Sequence, residues 1–98
     1  MAGTTAAPIM DVNIIAEDRP LSTCKAVSAV VPTTQGHMGI LPEHEPILAL
    51  LGQGKIKVKR ENGDIDTFIV NGGFVSFDNN TLTVGVDGVP GVDYKKED

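Results

Sequence analysis

Apolar and polar residues alternate along most of this chain with a period of two, the spacing of strands that bury one face and wet the other. The pattern begins at Ile9–Ala16, where Met10, Val12 and Ile14 share a face. Glu17-Asp18-Arg19-Pro20 then reads as a charged hairpin turn ending in proline. From Cys24 to Val31 the chain is rich in Val and Ala and halts at Pro32, but neither phase of its alternation is the apolar one throughout. Its valines and flanks predict a strand. Thr33–Gly36 reads as a loop, and Met38–Leu41 as a short apolar run. Ile47–Leu51 is apolar at every position, which fits a buried strand and a single helical turn equally well.

The second half is more regular. Lys55-Ile56-Lys57-Val58-Lys59 alternates strictly, and Asn62-Gly63 is a strong hairpin signal before the partner strand Asp66–Val70. Gly72-Gly73 interrupts the pattern, Phe74–Phe77 resumes it, and Asp78-Asn79-Asn80 predicts another hairpin turn into Thr81–Val86. Short strands with turn signals at roughly eight- to twelve-residue spacing predict an all-β antiparallel sandwich or barrel. No segment long enough for a regular helix shows a helical period. The reading divides the chain into a loose leader (1–8), a β domain (9–87) and a polar tail (88–98).

Composition narrows the function. Ninety-eight residues make one domain, and three Phe with one Tyr leave aliphatic side chains to fill the core. A chain this size buries roughly two-thirds of its unfolded surface, a small platform for a deep catalytic cavity, so a binding or structural module is expected. The net charge of −5 argues against nucleic-acid binding, which wants a basic face. The Lys55/Lys57/Lys59 row reads as a solvated strand face that protects an edge from aggregation. One cysteine, Cys24, allows no internal disulfide. The N-terminus has neither the basic nor the apolar part of a secretory signal, and no window approaches the ~18 apolar residues of a membrane span. Direct membrane insertion is therefore not expected.

One stretch stands apart. Gly36–Gly54 holds four glycines, two prolines and both histidines of the chain. Glycine reaches backbone shapes closed to other residues and proline fixes φ, so this is a segment of set turns within apolar chain. His37 and His44, with Glu43 and Glu45 beside them, could be imagined as metal ligands, but their spacing does not demand convergence and no third ligand is evident. The expected role of His44 is to bond neighbouring carbonyls and pin the corner. Ser22, Ser28, Ser76 and Cys24 lie in no nucleophile context. Gly72-Gly73 lacks phosphate-loop spacing and predicts a bulge or bend. Neither a cofactor nor a catalytic residue is expected.

The residues Gly36-x-x-Gly39-Ile40-Leu41-Pro42-x-His44-x-Pro46-Ile47-Leu48, then Leu50 and Gly54, then Gly72-Gly73-Phe74-Val75, closely resemble the N-terminal domain of the ε subunit of F-type ATP synthases, called δ in mitochondria. The resemblance spans about Val30 to Val86 and extends toward Met10. It implies an antiparallel ten-stranded sandwich of two five-stranded sheets and no enzymatic activity. It further implies a place in the rotating central stalk, peripheral on the cytoplasmic face of a bacterial inner membrane or its organellar equivalent. There the family couples proton flow to ATP synthesis. Carried over by position, Gly36, His37, Met38, Gly39, Ile40, Leu41 and Pro42 would face the polar loops of the c-ring, and Ala16, His44 and Ala49 the γ subunit. Two positions depart from the family. An acidic residue is frequent where His37 stands, and glycine is usual where Glu43 stands, which suggests that this turn does without a glycine-only conformation. Many members continue into a C-terminal helical hairpin that this sequence lacks, so inhibition of hydrolysis and ATP binding are not carried over. A free-standing β-sandwich adaptor is the alternative expectation.

Overall fold

A computed structural model describes residues 8–16, 19–87 and 95–97, and these contain nine strands and no helix. They are β1 (Met10–Ala16), β2 (Arg19–Thr33), β3 (Gly36–Ile40), β4 (Ile47–Leu51), β5 (Gly54–Arg60), β6 (Ile65–Val70), β7 (Gly73–Asp78), β8 (Thr81–Val86) and β9 (Lys95–Glu97). Residues 1–7 of the leader and most of the polar tail fall outside the described residues.

The architecture turns on β2. Its first half pairs with β1, its middle with β5, its second half with β3, and its last residue, Thr33, with Leu51 of β4. One layer therefore runs β1-β8-β7-β4 and the other β3-β2-β5-β6-β9, with β2 lending its first half to β1. Nine strands in one continuous hydrogen-bonded sheet replace the expected ten in two separate sheets, because a fifteen-residue strand reaches both layers. The expectation of a wholly antiparallel fold also needs correction. β1 lies parallel to β8, from Asp11 opposite Thr81 to Ala16 opposite Val86. These strands come from the two ends of the domain, so no hairpin constrains their direction.

β2 extends further than its prolines suggested. Pro20 sits opposite Ile15 beside a register shift, so its missing N–H falls at an irregularity. Pro32 sits where β2 leaves β5 and meets β4; its carbonyl accepts from Gly52 N at 2.8 Å. The ambiguous alternation has a cause too. A bulge between Ala26 and Ser28 switches the buried phase from Ala26 to Ala29 and Val31. One extra residue moves every later side chain to the other face.

Among the described residues, eighteen buried apolar side chains fill the space between the layers. β1 gives Met10, Val12, Ile14 and Ala16; β8 gives Leu82, Val84 and Val86; β7 gives Val75 and Phe77. The opposite layer contributes Ala29, Val31, Ile40, Ile56, Val58, Phe68 and Val70. Only Phe68 and Phe77 are aromatic, so the core is aliphatic as composition required. Asp66 is buried too, and its carboxylate accepts from Arg60 Nε at 2.5 Å. That partner is what makes a buried charge tolerable.

Of the three predicted hairpin turns, the first falls at Glu17-Asp18, outside the described residues, and the other two form. Asn79 and Asn80 have φ of 50° and 59°, the positive pair that a two-residue type I′ turn requires. At Asn62-Gly63 the loop is longer: Gly63 N donates to Arg60 O, Arg60 N to Asp64 O, and only Gly63 has positive φ. That is a three-residue loop with a glycine bulge. Gly72 and Gly73 carry the chain from β6 to β7 with φ of 153° and 135°. A Cβ on Gly73 would lie 1.9 Å from Gly85 O, so glycine is required there.

Candidate interaction surface

The turn between β3 and β4 carries the chain from one layer to the other. His44 N donates to Leu41 O at 3.2 Å, closing a turn with Pro42 and Glu43 at its centre. Proline second and a left-handed residue third make the type II arrangement. Glu43 is that left-handed residue, with φ of 63°. The expectation that glutamate signals a relaxed turn is therefore overturned: the glycine-like conformation is kept, and a side chain is forced into it at about 1–2 kcal/mol.

Asn80, in the β7–β8 turn, offsets that cost. Its side-chain Oδ1 accepts from Glu43 N at 2.7 Å, and its Nδ2 donates to Ile9 O at 2.8 Å. Its own carbonyl accepts from Asp11 N at 3.1 Å. Sequence reading treated Asn80 only as a turn former; the signal it missed was an amide long enough to serve two other segments. His44 pins the corner as expected. Its Nδ1 lies 2.9 Å from Glu45 O, and its ring meets the edge of Phe77 with centroids 6.1 Å apart.

The residues carried over by resemblance occupy different environments. Gly36, His37 and Gly39 are exposed along β3, Met38 and Pro42 are half-buried, and Leu41 is 61% exposed. Ile40 is fully buried in the core. Of the other set, His44 is exposed, Ala49 is half-buried on the inward side of β4, and Ala16 is buried. His37 belongs to β3 opposite Pro32, while His44 belongs to the corner.

Among the described residues, the two most exposed large apolar side chains lie on β4, where the sequence pattern did not reveal them. Ile47–Leu51 is a strand, and its outward residues Leu48 and Leu50 are 82% and 65% exposed. Leu50 stands opposite Phe74, Phe74 opposite Gly85, and Gly85 opposite Ile15, an apolar row in register across four strands. Phe74 is 45% exposed and lies over Gly85, where a Cβ would come within 2.2 Å of its ring. A protein rarely leaves side chains of this size grouped in water without a partner. The signal was present in the run Ile-Leu-Ala-Leu-Leu, whose lack of polar positions left its exposed side undetermined.

The opposite outer face is charged. Lys55, Lys57 and Lys59 point outward from β5, with Val30 of β2 opposite Lys57 and Ile69 of β6 opposite Lys55. At the far end, Thr23, Cys24, Lys25, Arg60, Glu61 and Asn62 line a cleft of about 420 Å³. Burial pushes the Cys24 thiol up, and Arg60 only partly offsets it, so the cleft holds no activated nucleophile. A hydrogen bond to Asp11 at 2.6 Å raises the exposed Lys25 ammonium, a pair of small energetic weight.

Comparison with known proteins agrees with this geometry. Residues 9–90 match the family model described as ATP synthase, Delta/Epsilon chain, beta-sandwich domain. An ATP synthase epsilon chain from Lactiplantibacillus plantarum is 38% identical over 80 residues, covering 80% of this chain and 56% of the relative. One from Streptomyces avermitilis is 33% identical over 75 residues, covering 76% and 60%. The chain thus spans a little over half the length of these curated relatives. Among solved structures, a chain of the Euglena gracilis mitochondrial ATP synthase (OSCP/F1/c-ring) superposes with a TM-score of 0.75 at 24% identity, covering 90% of this chain and 56% of that one. A chain of the Tetrahymena thermophila central stalk/c-ring gives 0.66 at 19%, covering 86% and 67%. At these identities the superpositions speak for the fold alone. With the family match running through all eight strands of the sandwich up to Val86, the chain belongs to the ATP synthase delta/epsilon β-sandwich family.

Proposed function

We propose that the chain is a non-catalytic rotor subunit of an F-type proton-translocating ATP synthase, joining the γ subunit to the polar loops of the c-ring and so helping couple proton flow to ATP synthesis. The observation that carries this reading is the apolar row Leu50, Phe74 and Ile15, with Leu48 exposed beside it on β4, on a domain of this family. An exposed apolar centre with a polar rim is the anatomy of a protein interface. In this reading γ covers that row, with His44 at its margin, and the exposed part of Gly36–Pro42 meets the c-ring. Ala16 and Ile40 then act from beneath, as packing that shapes the two surfaces.

The reading includes the domain limits (a leader to residue 8, a sandwich over 9–87, a polar tail from 88 whose β9 adds a strand beside β6) and two five-stranded layers, obtained by counting β2 once in each. It places the protein on the periphery of the energy-transducing membrane, on the cytoplasmic face in a bacterium. No helix among the described residues is long and apolar enough to cross a membrane. Co-purification tests the proposal: the tagged chain, expressed with γ, should retain γ through a salt wash. A folded chain that shows no γ binding by pulldown and calorimetry would refute it. A free-standing adaptor is the second reading. Among the described residues β3 pairs only with β2, leaving an edge that an extended peptide could join. Such an adaptor would bind its partner regardless of synthase components.

A further inference from the structure

We infer that Asn80 is a positioning residue for rotor binding: its side-chain amide, bonded at once to Glu43 N and Ile9 O, sets the direction in which the β3–β4 corner presents Leu41, Pro42 and His44. This rests on the rotor reading above. The two bonds cross 37 and 71 residues of chain, so one amide ties the corner and the head of β1 to the β7–β8 turn. The amide has little freedom of its own, because the type I′ turn holds Asn80 at φ 59° and Asp11 N bonds its carbonyl.

The corner needs such a tie because Glu43 is there. A residue with a Cβ resists φ of 63°, and its N–H is held by Asn80 Oδ1. Without that acceptor the turn relaxes toward a right-handed backbone at Glu43 and swings Leu41 and His44, which flank it and close the turn through their own hydrogen bond. Leu41 is the exposed end of the surface assigned to the c-ring, and His44 belongs to the surface assigned to γ. One side chain, itself outside both contacts, thereby orients residues of each. Glycine at position 43 would make the tie unnecessary, which gives the proposal its sharpest test.

The test is a titration of the full 98-residue chain onto a purified γ–c-ring complex stripped of its own copy of this subunit. Asn80→Gly keeps the left-handed turn and removes only the amide. It should weaken binding about five- to tenfold, the effect of losing one or two hydrogen bonds. The double variant Asn80→Gly/Glu43→Gly should bind within about twofold of Glu43→Gly alone. Amide hydrogen exchange at residue 43 in the free chain should lose protection in Asn80→Gly. Wild-type affinity in Asn80→Gly, or a loss that Glu43→Gly does not rescue, overturns the positioning role. Failure of the wild-type chain to bind sinks the rotor reading, and the positioning role with it, and is recognised in the first titration.

Discussion

The strands β4 and β5 each turn one side to the same core and end with opposite outer surfaces. Both strands bury one side against the shared core: β5 turns Ile56 and Val58 inward, and β4 turns Leu51 inward with Ile47 and Ala49 half-buried. On the outward side β5 carries Lys55, Lys57 and Lys59, whereas β4 carries Leu48 and Leu50 beside Phe74. β5 is paired on both sides, by β2 and β6, so the expected protection of an edge plays no part. Strand propensity and core packing explain the inward halves, and solvation explains the lysines. Neither explains the leucines. Folding does not require them, so the difference between the faces points to a partner that covers one and leaves the other in water.

The two faces share the wall between them, and breaking that wall should have the largest effect. Phe77 is 1% exposed near the end of β7, and its ring also meets that of His44. Phe77→Ala is expected to cost about 3–5 kcal/mol, measured by urea unfolding. A loss under about 1 kcal/mol would mean that the layers do not depend on a common core.

A smaller effect is expected where the chain passes from the lysine-bearing layer to the leucine-bearing one. Glu43→Gly relieves the left-handed strain at φ 63° and should stabilise the domain by about 0.5–1 kcal/mol, raising the thermal midpoint by a few degrees. Destabilisation would show that the glutamate side chain supplies something beyond its backbone shape.

Much of this fold can be read from the chain, and the exceptions have physical causes. β5 and β6 were legible because Lys55–Lys59 alternates strictly and Asn62-Gly63 marks the turn. β2 was not, because a bulge near Val27 merges two opposite alternations and both prolines sit where a ladder bond is not required. β4 was left undecided because five apolar residues in a row carry no period, and a strand with one exposed apolar face looks the same as a fully buried one. The corner drew attention for its glycines, prolines and histidines. The residue that ties it, Asn80, lies 37 residues away and is visible only once β7 and β8 are folded against it. The resemblance assigned contact positions without their burial: that Ile40 and Ala16 lie in the core depends on which side of each strand meets it.

The central claim is that the leucine face binds and the lysine face does not. Calorimetric titration of purified γ against the wild-type chain, Leu48→Ser/Leu50→Ser and Lys55→Glu/Lys59→Glu tests it directly. All three chains should unfold within about 1 kcal/mol of one another, since the substituted side chains are exposed. The leucine variant should lose roughly 30-fold or more in affinity for γ, the loss of about 2 kcal/mol typical of an interface anchor. The lysine variant should stay within about threefold of wild type. Equal binding by wild type and the leucine variant, or a collapse of binding in the lysine variant alone, would contradict the account.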